Sequence, residues 1–262
     1  MDFMRISSAS NPLIKSLRLL HSKKGRQKEN AVILEGSRLV TDAVKSNAKI
    51  KAYIVNESFA EKYSFLLKKF PEAKSYLLPD SLFKKISETD NPQGLIAVSE
   101  IPYYNEEKLK ELKRVIVLEN IQDPGNAGTI IRSADAFGFD GVIFSKDSVD
   151  PYNSKVIRST MGSLFHIPVI ISDDVYTTLD KLKGYGLKIL AAHPRDAELC
   201  YQTDLFDNIA IVIGNEGNGL SGRILEMADK KIMIPMKGNA ESLNASVAAS
   251  VLLYESMRQR GT

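Results

Sequence analysis

The sequence predicts an α/β protein in two parts, a small N-terminal α/β unit and a larger C-terminal unit on a mostly parallel sheet. From Arg114 onward, short apolar runs alternate with helical periodicities, the pattern of a sheet covered on both faces. A shorter alternation of the same kind fills the first hundred residues. Between the two, Ile101-Pro102-Tyr103-Tyr104-Asn105-Glu106-Glu107 breaks the periodicity and reads as a linker. The expected division is therefore 1–99, a linker over 100–113, and 114–262, within the usual range of domain sizes.

Asn11 followed by Pro12 predicts a helix opened by an Asn cap with proline in its first turn. Leu13, Leu17 and Leu20 then recur at helical spacing with basic residues between them. After a basic loop, strands are expected at Ala31–Leu34, Ile50–Val55, Ser75–Leu78 and Leu95–Val98. Helices are expected at Gly36–Lys45, Ser58–Lys69 and Asp80–Ile86. In the second part the apolar runs predict strands at 115–118, 141–144, 168–170, 188–191, 209–213 and 231–234. Helices are expected at 127–137, 153–160, 175–183, 221–226 and 242–258. The last of these carries a stretch of small side chains, Ala245, Ser246, Ala248, Ala249 and Ser250, which permits close approach to another backbone.

Composition narrows the function. No apolar stretch approaches the roughly 18 residues of a membrane span, and no signal-peptide core opens the chain, so a soluble cytoplasmic protein is expected. Cys200 is the one cysteine, which excludes an internal disulfide and any multi-cysteine metal site. His21, His166 and His193 lack metal-ligand spacing, and no metal is expected. His166 and His193 read as structural. Net charge is +3 but uneven: residues 1–113 hold 20 Lys and Arg against 14 Asp and Glu, a net of +6, whereas residues 114–262 hold 15 against 18, a net of −3. Arg5, Lys15, Arg18, Lys23, Lys24, Arg26 and Lys28 supply much of the excess, so the first part is the better candidate to meet a polyanion.

Three loops stand out in the second part. Ile121-Gln122-Asp123-Pro124-Gly125-Asn126-Ala127-Gly128, Gly214-Asn215-Glu216-Gly217-Asn218-Gly219 and Pro235-Met236-Lys237-Gly238-Asn239-Ala240-Glu241-Ser242-Leu243-Asn244 each follow an apolar run. They read as glycine-rich loops at the carboxyl ends of buried strands, where open α/β sheets place ligands. Neither Gly-x-x-x-x-Gly-Lys-Ser/Thr nor a Gly-x-Gly-x-x-Gly after the first strand occurs, which disfavours a P-loop and a standard dinucleotide site.

Asn126-x-Gly128-x-x-x-Arg132-x-Ala134, Ile213-Gly214-Asn215-Glu216-Gly217-x-Gly219-Leu220 and Ile234-Pro235-Met236-x-Gly238-x-x-x-Ser242-Leu243-Asn244-x-Ser246-x-Ala248 resemble the three ordered motifs of the SpoU (TrmH) family of RNA ribose 2′-O-methyltransferases, a branch of the SPOUT superfamily. The resemblance spans nearly all of 114–262. In the first part, Glu35-Gly36-x-Arg38-Leu39-Val40-x-Asp42-Ala43 is similar to that family's L30e-like RNA substrate-binding domain.

The resemblance implies a parallel sheet whose C-terminal segment is threaded into a trefoil knot, an S-adenosylmethionine site in that knot, and a homodimer. It places cofactor contacts on Gly214, Ile234 and Leu243, with Asn215, Gly219 and Met236 beside them. It assigns Arg132 to the 2′-hydroxyl. A guanidinium stays protonated, so gripping a phosphate and stabilising negative charge suits it better than abstracting a proton. Asn126 is expected to fix Arg132 or the target nucleotide, Glu216 to orient the arginine or accept a proton, and Ser242 and Asn244 to lie where substrate and cofactor meet. Helix capping is the alternative for Asn126 and Asn244. Arg158, Ser159 and Gly162 are candidates for the RNA cleft. The two-part layout favours 23S ribosomal RNA as substrate. The rivals are a transfer-RNA 2′-O-methyltransferase, a base methyltransferase of the same fold, and a non-catalytic RNA-binding protein with a vestigial knot.

Overall fold

The computed structural model describes residues 3–68, 73–102, 104 and 106–261. It divides into two compact units, Met1–Pro102 with Tyr152–Arg158, and Tyr103–Pro151 with Ser159–Thr262.

The first unit begins with a two-residue strand, β1 (Met4–Arg5), too short to leave a periodic signal. Helix α1 (Pro12–Leu19) has the expected cap, with the Asn11 side chain accepting from Leu13 N–H at 2.9 Å. Its most deeply buried face is Ile14 and Leu17 rather than Leu13. The basic segment expected to be a loop is a helix, α2 (Lys23–Glu29). Lys, Arg, Gln and Glu are good helix formers, but with no apolar residue among them no hydrophobic period announces the turn. Ser22 caps α2, accepting from Gly25 N–H. Gly25 lies so close to α1 that a Cβ there would stand 1.9 Å from the Leu19 carbonyl oxygen. Arg26 is buried, its guanidinium donating to the Leu20 and His21 carbonyls at 3.0 Å each. It is thus removed from the cations that could meet a polyanion.

β2 (Ala31–Glu35), α3 (Ser37–Lys45), β3 (Ile50–Asn56), α4 (Ala60–Lys68), β4 (Lys74–Leu78), α5 (Asp80–Phe83) and β5 (Leu95–Glu100) complete the unit. The expected end of α4 at Lys69 lies outside the described residues. The sheet order is β1-β4-β3-β5-β2, with β5 antiparallel to both its neighbours and the rest parallel. Glu35 of the Glu-Gly-x-Arg-Leu segment has a structural task. Its carboxylate accepts from the Ser87 hydroxyl, from Thr89 Oγ1 at 2.7 Å and from Glu88 N–H at 3.1 Å, holding the turn before β5.

In the second unit, part of the expected linker forms a 3-10 helix at Glu106–Glu111, and Leu109 and Leu112 are buried in the core; Tyr103 and Asn105 of that linker lie outside the described residues. The elements that follow along the chain are β6 (Arg114–Leu118), α6 (Pro124–Ala136), β7 (Gly141–Ser145), α7 (Ser154–Thr160, most of which belongs to the first unit), β8 (Val169–Ser172), α8 (Val175–Gly184), β9 (Lys188–Ala192), β10 (Glu198–Leu199), β11 (Ile209–Ile213), α9 (Gly222–Met227), β12 (Lys230–Met233) and α10 (Ala245–Arg260). Every strand pair is parallel and the order is β10-β12-β9-β11-β6-β7-β8. Central strands β6 and β11 are buried on both faces, which is why they read as unbroken apolar runs. The expected α/β class and mostly parallel sheet are what the chain adopts.

Helix α10 starts at Ala245, three residues later than expected, because Asn244 is its cap and accepts from Ser246 and Val247 N–H at 2.9 and 3.3 Å. At its other end Arg260 donates to the Phe137 and Gly138 carbonyls, covering the C-terminus of α6. Cys200 is buried, and that burial, with Glu255 nearby, pushes its thiol pKa up. Among the described residues no helix is long and apolar enough to cross a membrane.

Candidate functional site

The strand order explains why three distant loops meet. Ile213 pairs with Leu118, so the segments leaving β11 and β6 emerge side by side. β9 lies between β11 and β12, so the exit of β9 stands between the second and third glycine-rich loops. At these carboxyl ends lies a cavity of about 340 Å³, within the range that holds small-molecule ligands. All six residues expected to hold S-adenosylmethionine line it: Gly214, Asn215, Gly219, Ile234, Met236 and Leu243.

The loop after β11 is a miniature hairpin. Asn215 and Gly219 exchange two backbone hydrogen bonds of 3.0 Å, with Gly219 in the left-handed region at φ 67°. A Cβ on Gly214 would stand 2.3 Å from the Gly219 carbonyl carbon, so only glycine lets the hairpin close there. The Asn215 side chain is committed to the same loop. Its Oδ1 accepts from Gly217 and Asn218 N–H at 2.9 and 3.0 Å, and its Nδ2 donates to the Asn120 carbonyl at 2.8 Å. Asn215 therefore acts as the scaffold of this loop, with its backbone N–H and C=O and its Oδ1 all engaged within the hairpin. Buried Glu119, which sequence reasoning passed over, accepts from Ser221 N–H at 2.8 Å and ties the end of β6 to the start of α9.

Glu216 anchors the first loop to the second. Its carboxylate accepts from Gln122 N–H at 3.2 Å, Asp123 N–H at 3.1 Å and Asn126 Nδ2 at 3.0 Å. Partial burial raises its pKa, but the hydrogen bonds from Asn126, Asp123 and Gln122 outweigh that and hold it below the ordinary 4.5. A carboxylate so engaged is ionised and a weak base at neutral pH. Asn126 in turn accepts from Asn244 Nδ2 at 3.0 Å, so Asn126, Glu216 and Asn244 bind the three loops into one network. Capping and the loop-to-loop role coexist in Asn244. In Asn126 only the second applies, since Asp123 caps α6.

The arginine stands apart. Arg132 is exposed on α6, six positions beyond Asn126 and hence roughly 120° around the helix from it. It does not line the cavity, and no hydrogen bond or ion pair joins it to Asn126 or Glu216. Glu216 and Ser242 do line the cavity. Thr129, Arg132 and Ala136 form the exposed face of α6. Next to it runs a stripe on α10 of Val247, Val251 and Tyr254, exposed by 48, 37 and 48 %. The two helices meet through a Ser133–Ser250 hydroxyl pair at 2.8 Å and an edge-on contact of Phe137 with Tyr254. Of the residues considered for an RNA cleft, Arg158 pairs with Glu88 at 3.6 Å, Ser159 is the penultimate residue of the same α7, and Gly162 takes φ 101° just after that helix. His166 is held by Asp135 at 2.7 Å.

Ala192, His193 and Pro194, at the exit of β9, also line the cavity, although no glycine marks that exit in the sequence. The signal lay in the strand order, which periodicity does not reveal.

Comparison with known proteins bears on this geometry. Residues 113–254 match the model of the SpoU rRNA Methylase family, and residues 11–97 match an MRM3-like substrate binding domain. The chain is 35 % identical to the 23S rRNA (guanosine(2553)-2′-O)-methyltransferase RlmP of Bacillus subtilis, over 95 % of this chain and 98 % of that protein. Among solved structures, the AdoMet-bound rRNA methyltransferase from Sinorhizobium meliloti superposes with a TM-score of 0.87 at 28 % identity, covering 99 % of both chains. The SpoU methyltransferase AviRb from Streptomyces viridochromogenes, in complex with AdoMet, superposes at 0.86 with 26 % identity over 95 % of this chain and 98 % of that one.

Proposed function

Because this chain belongs to the SpoU rRNA methylase family, we propose that the ribose 2′-hydroxyl it methylates lies in 23S ribosomal RNA. The chain is an S-adenosylmethionine-dependent RNA 2′-O-methyltransferase. The observation that carries the reading is the cavity at the joined loops, lined by all six residues assigned to that cofactor.

S-adenosylmethionine supplies an electrophilic methyl group on a sulfonium centre, with a neutral thioether as leaving group. Gly214 and Gly219 bring main-chain groups within reach of a ligand, while Ile234, Met236 and Leu243 form apolar walls that exclude water. Glu216, Asn126 and Asn244 keep the loops in register, and positioning of this kind is a large part of what an in-line transfer needs. Arg132 grips an RNA phosphate and stabilises negative charge developing on the 2′-oxygen. Ser242 lies on the wall where the two substrates would meet.

A second copy of the chain completes this site in our reading. The exposed stripe of Val247, Val251 and Tyr254 is the surface a homodimer would cover, and Arg132 beside it would serve the partner's cavity rather than its own. The matched substrate-binding domain supports RNA contact by the first unit. Cytoplasmic action follows from a ribosomal substrate.

The test is to incubate purified 23S RNA and, in parallel, purified transfer RNA with the protein and labelled cofactor, then digest each to nucleosides. Labelled 2′-O-methylnucleoside from 23S RNA supports the reading. Label only in transfer RNA, or on a base, overturns it.

A further inference from the structure

Resting on the reading that the cavity holds S-adenosylmethionine, we propose that His193 is a further cofactor-positioning residue, its imidazole Nε2 accepting a hydrogen bond from an amino or hydroxyl group of that ligand. The strand order places His193 at the exit of β9, between the loops after β11 and β12, and its side chain is half-buried in the cavity wall. Its backbone is fixed by donation of its N–H to the Ile232 carbonyl at 2.9 Å.

The ring's tautomer follows from its neighbour. Nδ1 lies 2.5 Å from the Arg195 carbonyl oxygen, and a carbonyl oxygen only accepts, so Nδ1 carries the proton. The Arg195 N–H, 3.4 Å from the same nitrogen, is too distant to reverse that assignment. In the neutral ring Nε2 is then an acceptor with no protein partner among the described residues. Two other side-chain acceptors on the wall are engaged: Glu216 takes Gln122, Asp123 and Asn126, and Asn215 Oδ1 takes Gly217 and Asn218. S-adenosylmethionine carries an adenine amino group, two ribose hydroxyls and an ammonium. A half-buried acceptor aligned with one of them gains a hydrogen bond on binding, and one left unmatched costs affinity.

Calorimetric titration of the full chain with S-adenosylhomocysteine tests this, using wild type, His193→Phe, which keeps ring shape without an acceptor, and His193→Gln, which keeps an acceptor. Expected are a loss of about tenfold for His193→Phe and less than about threefold for His193→Gln. Thermal melting of each unliganded variant checks folding. Should the Phe variant melt early, His193→Ala against His193→Gln reads the same difference. Equal binding by the acceptor-free variant and wild type overturns the proposal for His193 alone. Failure of wild type to bind overturns the cofactor reading beneath it.

Discussion

Asn244 Nδ2 donates to Asn126 Oδ1 at 3.0 Å across 118 positions of sequence, joining the cap of the last helix to the first turn of α6. Because Asn126 also donates to Glu216, it is the middle of the network, with Asn244 and Glu216 on either side of it. Replacing Asn244 with Ala removes a helix cap and this bond together and should destabilise the protein by about 2 kcal/mol. Asn126→Ala, which leaves the cap intact, should cost about 1 kcal/mol. A double-mutant cycle by chemical denaturation should give a coupling on the order of 1 kcal/mol, whereas strict additivity would show the contact to be idle.

Arg132 lies outside its own chain's cavity, so its removal should separate binding from chemistry. Arg132→Ala should bind S-adenosylmethionine as wild type does and lose about 100-fold or more in kcat. Weakened cofactor binding would place it on the cavity wall after all. Mixing inactive Arg132→Ala with inactive Gly214→Trp should restore part of the activity if each site is built from two copies.

Gly214 and Gly217 are three positions apart and predict opposite outcomes. Alanine at 214 would place a methyl 2.3 Å from backbone, so the hairpin must open and cofactor binding should be lost. At 217 the nearest atom is Asn215 Oδ1 at 3.6 Å, ordinary contact, and binding should be kept within about threefold. Titration of both variants with S-adenosylhomocysteine decides it.

The lowered pKa of Glu216 has a signed consequence. A carboxyl more acidic when folded than when unfolded contributes stability above its ordinary 4.5, and that contribution disappears as pH falls through the folded value. Glu216→Gln should therefore lower the melting temperature at pH 7 and differ less from wild type at pH 4. A difference that grows on acidification would contradict the ionised, hydrogen-bonded state.

Charge on the first unit is best tested by substitution. Deleting residues 1–28 would remove Ile14, Leu17 and Leu20 from the core along with buried Arg26. Changing exposed Lys15, Arg18, Lys23 and Lys24 to Ala leaves those core residues in place. RNA affinity should fall and the slope of log K against log salt should flatten by about 0.7–0.9 per lost phosphate contact, with cofactor affinity unchanged. An unaltered slope would remove α1 and α2 from the RNA surface.

Much of this was legible in the residues, for identifiable reasons. The central strands are buried on both faces and write themselves as apolar runs, and the glycine-rich loops at strand ends mark the cavity, whereas the six residues expected to hold the cofactor came from the family resemblance. What escaped lacked a local signal. β1 and β10 have two residues each, too few for a period, and α2 has no apolar residue to set one. His193 read as structural because its place on the wall depends on β9 lying between β11 and β12, a neighbourhood created by topology. The separation of Arg132 from Asn126 is a matter of helical angle, hidden when both are read as parts of one motif.

Cys200, the single thiol, is sequestered and hard to ionise. The native background is therefore silent toward maleimide dyes, and a cysteine introduced at Asn239, in the exposed loop before α10, would be labelled alone. Fluorescence from that one site would follow the loop in real time as ligand arrives, with no need to strip a competing reactive group from the interior first.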